Sequence, residues 1–328
     1  MRMNNPLSFS KLSKRFGVEW VPNEISSLLD HILGFRKLNN LYDKSVVQTK
    51  INKKTKFFEA VLKELDVRVE VQPNEAEKIP RTGPLVVVAN HPFGGIDGLA
   101  LGSLLTKTRP DFKLLVNQEL GVFDEMNPWL FKVDVLSGLS AKSKNLKVLA
   151  DCIRFLKDGN CMGVFPAGEV SSLHLKTRKI IDPEWSSHPV SLAKITGAQI
   201  LPVCFKGANS VLFQMMGIIH PRLRTLMLAR ELNNKRGMEL EMRIGEPISH
   251  SKICSFPSIS EVSEYTRVCV EALKNDQSPR RLTSHFFLGR KTKSPEPLIL
   301  PVCQQSLKKE IMSLPANSLL IQKGDFEI

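Results

Sequence analysis

Apolar residues recur at helical spacing through the first part of the chain. Ile25, Leu28, Leu29, Ile32, Leu33 and Phe35 predict a helix over 24–36, with Asn23 as N-cap and Gly34 near its end. Phe57, Phe58, Val61, Leu62 and Leu65 predict another over 55–65. Upstream, Phe9, Leu12 and Phe16 share a face interleaved with Lys11, Lys14 and Arg15, the pattern of a segment that either packs on the domain or lies in a membrane interface. The period then drops to two. Val67, Val69 and Val71 alternate with Arg68 and Glu70, a strand with one face in solvent. Leu85 to Ala89 shows no alternation, as expected of a strand covered on both faces. Strands over 113–117, 161–165 and 200–206 then alternate with helices over 98–107, 143–157 and 190–195, the last introduced by Asp182-Pro-Glu-Trp185. Residues 215–232 mix apolar residues with Arg222, Arg224 and Arg230, to pack on the core or to face a membrane. Met238 to Ile244 reads as an edge strand, and a helix over 260–274 closes the pattern. The alternation predicts an α/β fold: a central, mostly parallel sheet covered by helices, behind an N-terminal helical lead-in.

Two strand ends carry the candidate chemistry. The strand 85–89 stops at Asn90-His91, and Pro92-Phe-Gly94-Gly95-Ile96 leads to Asp97 at the head of a helix. An α/β sheet presents ligands and bases at its strand ends. A histidine titrates near neutrality, and a nearby carboxylate holds its tautomer and stabilises the imidazolium. The plainer alternative makes Asp97 a helix cap and His91 a loop histidine. The strand 161–165 ends at Phe165-Pro166-Ala167-Gly168-Glu169, where proline stops the ladder and glycine permits a tight loop. Backbone N–H groups on such a turn can cradle an anion. Glu169 either accepts from an amine or amide of a ligand or forms a structural ion pair with Lys176, Arg178 or Lys179.

These segments resemble the glycerolipid, or lysophospholipid, acyltransferase family. Pro80-Arg-Thr-Gly-Pro84 leads into the strand bearing Asn90-His91 and then Asp97; Val164 to Ser171 is similar to the family's Phe-Pro-Glu-Gly-Thr-Arg-Ser block; Ile200-Leu-Pro-Val203 is similar to its late hydrophobic-proline strand, and Gly245-Glu-Pro-Ile248 to its final block. The motifs fall in the family's order at intervals of roughly 70 and 35 residues, and the likeness covers about 50–250. Two departures stand out. Five residues separate His91 from Asp97 where the family has four, and Ala167-Gly168-Glu169 replaces Glu-Gly-x-Arg. Both look like a bacterial, hemolysin-labelled branch linked to lyso-ornithine or lyso-glycine lipids. The lost motif arginine weakens the case for a phosphate-bearing acceptor, with Arg178 or Lys179 as substitutes.

The resemblance implies an O-acyltransferase. His91 held by Asp97 would deprotonate a lyso-lipid hydroxyl, which attacks the thioester of acyl carrier protein or coenzyme A. Amides near Gly94-Gly95 or Ala167-Gly168 would steady the oxyanion, and Asn90, Glu119, Phe165, Pro166, Glu169 and Arg178 would line the substrate site. It implies no bound cofactor and no metal. Lysophosphatidic acid as acceptor, and a non-catalytic membrane- or carrier-binding protein, remain alternatives. The expected parts are amphipathic helices in 1–65, an acyltransferase domain over 66–276 and a basic, proline-punctuated linker and tail over 277–328. The last ten residues resemble the first strand of a GNAT-type N-acyltransferase, so a separate protein would supply an N-acyl step.

Composition narrows the partners. With 328 residues, 42% hydrophobic, the chain can bury one sizeable core. Its net charge of +13 suits an anionic membrane surface or an acidic carrier protein. No zinc-finger spacing or aromatic-and-basic RNA-binding motif appears, so nucleic acid is not an expected partner. The six cysteines form no Cys-x-x-Cys pair, which points to reduced, mostly buried thiols. Neither a signal-peptide core nor ~18 uninterrupted apolar residues occurs. The expected location is peripheral, on the cytoplasmic face of the inner membrane. No Gly-x-Ser-x-Gly elbow is present for a serine-hydrolase route.

Overall fold

A computed structural model describes residues 7–15, 21–52, 56–134 and 141–274, except the side chains of 12, 15 and 141–144. The readings placed on Phe16 and on 277–328 lie outside the described residues. The N-terminal lead-in is four helices: α1 (Phe9–Arg15), α2 (Asn23–Ile32), α3 (Phe35–Ile51) and α4 (Phe57–Glu64). The helix expected over 24–36 is two, because the chain turns at Leu33-Gly34. Its apolar face is split as well. Leu29, Leu33 and Phe35 pack inward, while Ile25, Leu28 and Ile32 stay 50%, 59% and 56% exposed.

The chain then runs through β1 (Arg68–Glu70), α5 (Pro73–Ala76), β2 (Leu85–Ala89), α6 (Gly95–Thr108), β3 (Phe112–Asn117), β4 (Leu130–Val133), α7 (Ala141–Lys157) and β5 (Cys161–Val164). A hairpin of β6 (Ser172–His174) and β7 (Lys179–Ile181) follows, then α8 (His188–Thr196) and β8 (Gln199–Phe205). Helices α9 (Val211–Ile219) and α10 (Pro221–Asn234), strand β9 (Glu239–Ile244), and helices α11 (His250–Cys254) and α12 (Ile259–Lys274) complete the described chain.

The main sheet has seven strands in the order β1-β9-β8-β2-β5-β3-β4. From β8 to β4 all neighbours are parallel. Strand β9 is antiparallel to β8 and is itself covered by β1, so it is not the edge strand its alternation suggested. Of its outward charges, Glu239 stays exposed, while Arg243 meets the buried Glu75 of α5 at 2.8 Å. The five residues of β2 are all buried, and they feed two cores in turn. Leu85, Val87 and Ala89 join Phe58, Val61, Leu101 and Leu105 on the α4–α6 side. Val86 and Val88 join Leu156, Leu192 and Val262 on the α7–α8–α12 side. A strand flanked by helices on both faces has no polar face to alternate. A third cluster joins the N-terminal helices to α9 and α10 through Leu38, Phe213 and Met227.

Val88 is in register with both Val164 of β5 and Pro202 of β8. The three strands therefore finish side by side, and their carboxyl ends form one shelf. Asp182-Pro-Glu-Trp185, expected to start a helix, has no regular secondary structure, and α8 begins only at His188.

Candidate active site

The chain leaves β2 through Asn90, whose side chain acts as an extra rung of the sheet. Its Nδ2 donates to the carbonyl of Phe205 at 2.9 Å and its Oδ1 accepts from the Phe205 N–H at 2.7 Å. This ties the ends of β2 and β8 together and commits the amide that the sequence offered to a substrate. The next residue, His91, is fixed through its backbone. Its N–H donates to Asp182 Oδ1 at 3.2 Å, and its carbonyl accepts from the Ser171 N–H at 2.9 Å. Asp182 also accepts from the Ser171 hydroxyl and, at 3.0 Å, from Trp185 Nε1. Asp182 was not foreseen as a site residue. Its carboxylate holds the loops after β2 and β5 together, which is why it does not cap a helix.

Asp97 sits in the first turn of α6 and is completely buried. One oxygen, Oδ2, accepts from the N–H groups of Phe93 and Gly94, both at 2.9 Å, and lies 2.9 Å from His91 Nδ1. The imidazole approaches off the line of its N–H, so the pair is a close polar contact rather than a linear hydrogen bond. Catalytic hydrogen bonds often straighten only when substrate is bound. The other oxygen, Oδ1, has no partner among the described residues. Burial raises the Asp97 pKa above the ordinary carboxylate range, opposed by the contacts to His91, Phe93 and Gly94. Between His91 and Asp97 the chain turns at Gly94, which adopts φ 87°. A Cβ there would come within 3.1 Å of Val170 and 3.2 Å of Leu228. Glycine is therefore required twice, for its φ and for the close approach.

The His91 ring stacks on Phe165, with centroids 4.2 Å apart and planes 26° from parallel. That contact brings the two sequence motifs together: β2 supplies the imidazole and β5 the surface that orients it. Beyond Phe165, the N–H of Gly168 donates to the Phe165 carbonyl at 3.0 Å, closing the tight loop. Pro166 is buried and its carbonyl accepts from Ser186. Of the four amides considered for an oxyanion, Gly94 is spent on Asp97 and Gly168 on Phe165, whereas Gly95 and Ala167 have no acceptor among the described residues.

Other candidates lie apart from this centre. Glu119 is on the turn after β3, with β5 between it and β2. Arg178 is exposed in the turn between β6 and β7. Glu169 is ion-paired, but with none of the three cations named for it. Its Oε2 meets Arg224 Nη2 of α10 at 2.7 Å. Lys235, likewise unforeseen, is only 12% exposed and lies 4.7 Å over the Phe93 ring. Burial pulls its pKa below the ordinary lysine value, against the opposing charges of Glu231 and Asp97. Leu228, Leu232 and Lys235 reach the site from more than 130 positions downstream of His91, and no local pattern announces them.

Burial pushes the thiols of Cys152, Cys161 and Cys204 up to about 12, so none of them serves as a thiolate nucleophile. Among the described residues there is no group of three or more histidine, cysteine or acidic side chains able to hold a metal ion, and no helix long and apolar enough to cross a membrane.

A histidine set against a buried carboxylate, on a shelf of parallel strand ends, with two amides unspent, is the apparatus of an enzyme that removes a proton and steadies an oxyanion. Residues 45–278 match the family model described as Acyltransferase, and the chain belongs to that family. It is an acyltransferase. Among similar proteins are two named lyso-glycine lipid O-acyltransferase. That of Phocaeicola vulgatus is 28% identical over 246 residues, covering 73% of this chain and 83% of the relative. That of Bacteroides thetaiotaomicron is 28% identical over 262 residues, covering 78% and 92%. The crystal structure of the 1-acyl-sn-glycerophosphate (LPA) acyltransferase PlsC from Thermotoga maritima aligns with 20% identity and a TM-score of 0.43, over 79% of this chain and 96% of that one.

Proposed function

We propose that this acyltransferase moves a fatty acyl group from the thioester of acyl carrier protein or coenzyme A to the hydroxyl of a lyso-lipid, with a lyso-aminolipid of the lyso-glycine type as acceptor. The observation that carries this reading is the His91–Asp97 contact at the carboxyl end of β2. Because Nδ1 faces Asp97, Nε2 is the nitrogen left to take the hydroxyl proton. The acceptor oxygen attacks the thioester carbonyl carbon as that proton moves to Nε2. The tetrahedral oxyanion is held by the Gly95 and Ala167 amides, a kind of contact that contributes about 3–4 kcal/mol in acyl transfer. The C–S bond then breaks, and the departing thiolate takes the proton back from Nε2. Asp97 orients the ring and stabilises its charged form throughout. No metal or bound cofactor takes part in this scheme.

The acceptor favours a location on an anionic membrane surface, and we place the protein on the cytoplasmic face of the inner membrane. The outward face of α9 supports this: Val211, Met215, Ile218 and Ile219 are 76%, 54%, 48% and 65% exposed, and α9 contains no charged residue. Ile25, Leu28 and Ile32 of α2 are also exposed, and both faces are apolar in the way of segments that lie in a bilayer interface. An N-acyl step would come from a separate GNAT-type N-acyltransferase.

The test is transfer of a radiolabelled acyl group from either donor to lyso-glycine lipid, lyso-ornithine lipid or lysophosphatidic acid, wild type beside His91→Ala. Product on an aminolipid that disappears in the variant supports the proposal. Product on lysophosphatidic acid alone replaces the acceptor, and product that persists in His91→Ala removes the mechanism.

A further inference from the structure

Beside the His91 shelf, between the β6–β7 hairpin and helices α9 and α10, lies an open cleft of about 390 Å³. Every polar side chain of its lining can donate a hydrogen bond. Ser172, His174 and Lys176 come from the hairpin, Gln214 from α9 and Arg224 from α10, and no carboxylate is part of the wall. Gln214 is the fixed point. It is 5% exposed, and its Oε1 accepts from the Leu173 N–H at 2.9 Å, which pins the hairpin to α9. That orientation leaves Nε2 as a buried donor with no partner among the described residues. A buried amide N–H₂ without an acceptor is costly unless a ligand supplies one.

Arg224 is also held in place. Its side chain is 13% exposed, and it runs over Gly217, where an added Cβ would come within 3.0 Å of Cδ. Its one carboxylate contact among the described residues is Glu169, which reaches over from the loop after β5 and is itself 65% exposed. Two residues beyond Glu169, Ser171 bonds the His91 carbonyl. One short segment, 169–171, thus touches both Arg224 and the His91 backbone.

We infer that this cleft takes the acceptor's headgroup, and that Arg224 binds a headgroup carboxylate there in exchange for Glu169. The inference rests on the lyso-lipid acyltransferase reading and adds to it the group being recognised. Glu169 stands in for the ligand: an exposed surface carboxylate occupies one prong of a guanidinium fork that matches a planar carboxylate in two-point contact. When the acceptor arrives, Glu169 swings to solvent, the headgroup takes the fork, and Gln214 Nε2 gains its acceptor. The two members of one ion pair thus have opposite effects. Arg224 attracts the acceptor, and Glu169 competes with it.

Steady-state transfer is measured with a lyso-lipid ending in a free carboxylate and with its methyl ester, for wild type, Arg224→Met, Arg224→Lys and Glu169→Gln, with a melting curve for each protein. Arg224→Met is expected to raise KM for the carboxylate by about 10- to 100-fold, with kcat little changed and the methyl ester unaffected. Arg224→Lys recovers only part of this, because it keeps the charge and loses the fork. Glu169→Gln lowers KM for the carboxylate. Equal effects of Arg224→Met on both acceptors, or a rise in KM for Glu169→Gln, would overturn the inference. Calorimetric titration with an N-acylglycine that has no hydroxyl reads the cleft apart from catalysis. Binding by wild type that is lost in Arg224→Met supports the cleft even if no acceptor is acylated, in which case the transfer reading alone fails. No binding by wild type overturns the cleft.

Discussion

Two buried charges sit at opposite ends of the same strands, and the protein treats them differently. Arg109, fully buried, lies at the amino ends. Its Nε and Nη2 bond both oxygens of Asp111 at 2.9 and 2.7 Å, and its other bonds go to the carbonyls of Pro80, Gly83 and Gly159. Those residues lie in the segments leading into β2, β3 and β5, so one side chain ties together the starts of three strands. Burial works against its charge, but Asp111 more than compensates and its pKa is raised. Asp97, at the carboxyl ends, is equally buried, yet one oxygen has no partner and the imidazole contact is off-line. His91 Nδ1, Asp97 Oδ1, Asn209 Oδ1 and Gln214 Nε2, the buried polar atoms without a hydrogen bond among the described residues, all belong to the loops and helices at this end. A satisfied charge holds a fold together, while unspent bonding capacity is kept where a ligand will use it.

The largest expected effect is on chemistry. His91→Ala should reduce acyl transfer about 10³-fold, within the range for losing a general base, with an unchanged melting temperature. Asp97→Asn should cost a similar factor by disturbing the imidazole tautomer. The reverse pattern is expected at the other end. Arg109→Met leaves Asp111 and three carbonyls without their donor and should cost about 3–5 kcal/mol of unfolding free energy in a denaturant titration, while transfer per folded molecule is unchanged.

Acid sharpens the contrast, because the carboxylates shift in opposite directions. Asp111 is held below the ordinary range by Arg109. Glu75 is buried, which works against its charge, but Arg243, the Ile244 N–H and Lys78 outweigh this and bring it below as well. Groups with lowered folded pKa values bind fewer protons than the unfolded chain does. Their stabilisation is present above about pH 4 and is lost as pH falls through their folded values. Asp97 is raised, so its ionised form opposes folding, and that cost is relieved as pH falls through its raised value. Glu75→Gln should therefore flatten the loss of stability on acidification, and Asp97→Asn should leave the melting temperature at neutral pH unchanged or higher. The smallest effect is expected at the exposed Arg68–Glu239 pair, where removing either partner should change stability by less than about 1 kcal/mol.

The sequence was most legible where one segment carries the whole signal. A five-residue apolar run needs two covered faces, so β2 and its place in the sheet follow from residues 85–89 alone. His91 and Asp97 were readable because one loop joins them. Partners from distant segments were not. Glu169 names no cation until α10 folds across it, and Asp182 shows its role only when the loops after β2 and β5 meet. The edge-strand reading of β9 failed for a related reason: β1, from far upstream, pairs with its outer side, and α5 brings Glu75 against Arg243, although Glu239 does stay exposed. In 24–36 the apolar spacing marks helix but neither the break at Leu33-Gly34 nor the outward face of Ile25, Leu28 and Ile32.

The most direct test takes one sample of Asp97→Asn, melts part of it and assays the rest for acyl transfer to a lyso-aminolipid. The account predicts a melting temperature at or above that of wild type, with transfer reduced by about 10³-fold. A variant that folds as wild type does and still transfers at the wild-type rate would mean that the buried carboxylate only caps α6, and that the proton leaves the acceptor by another route.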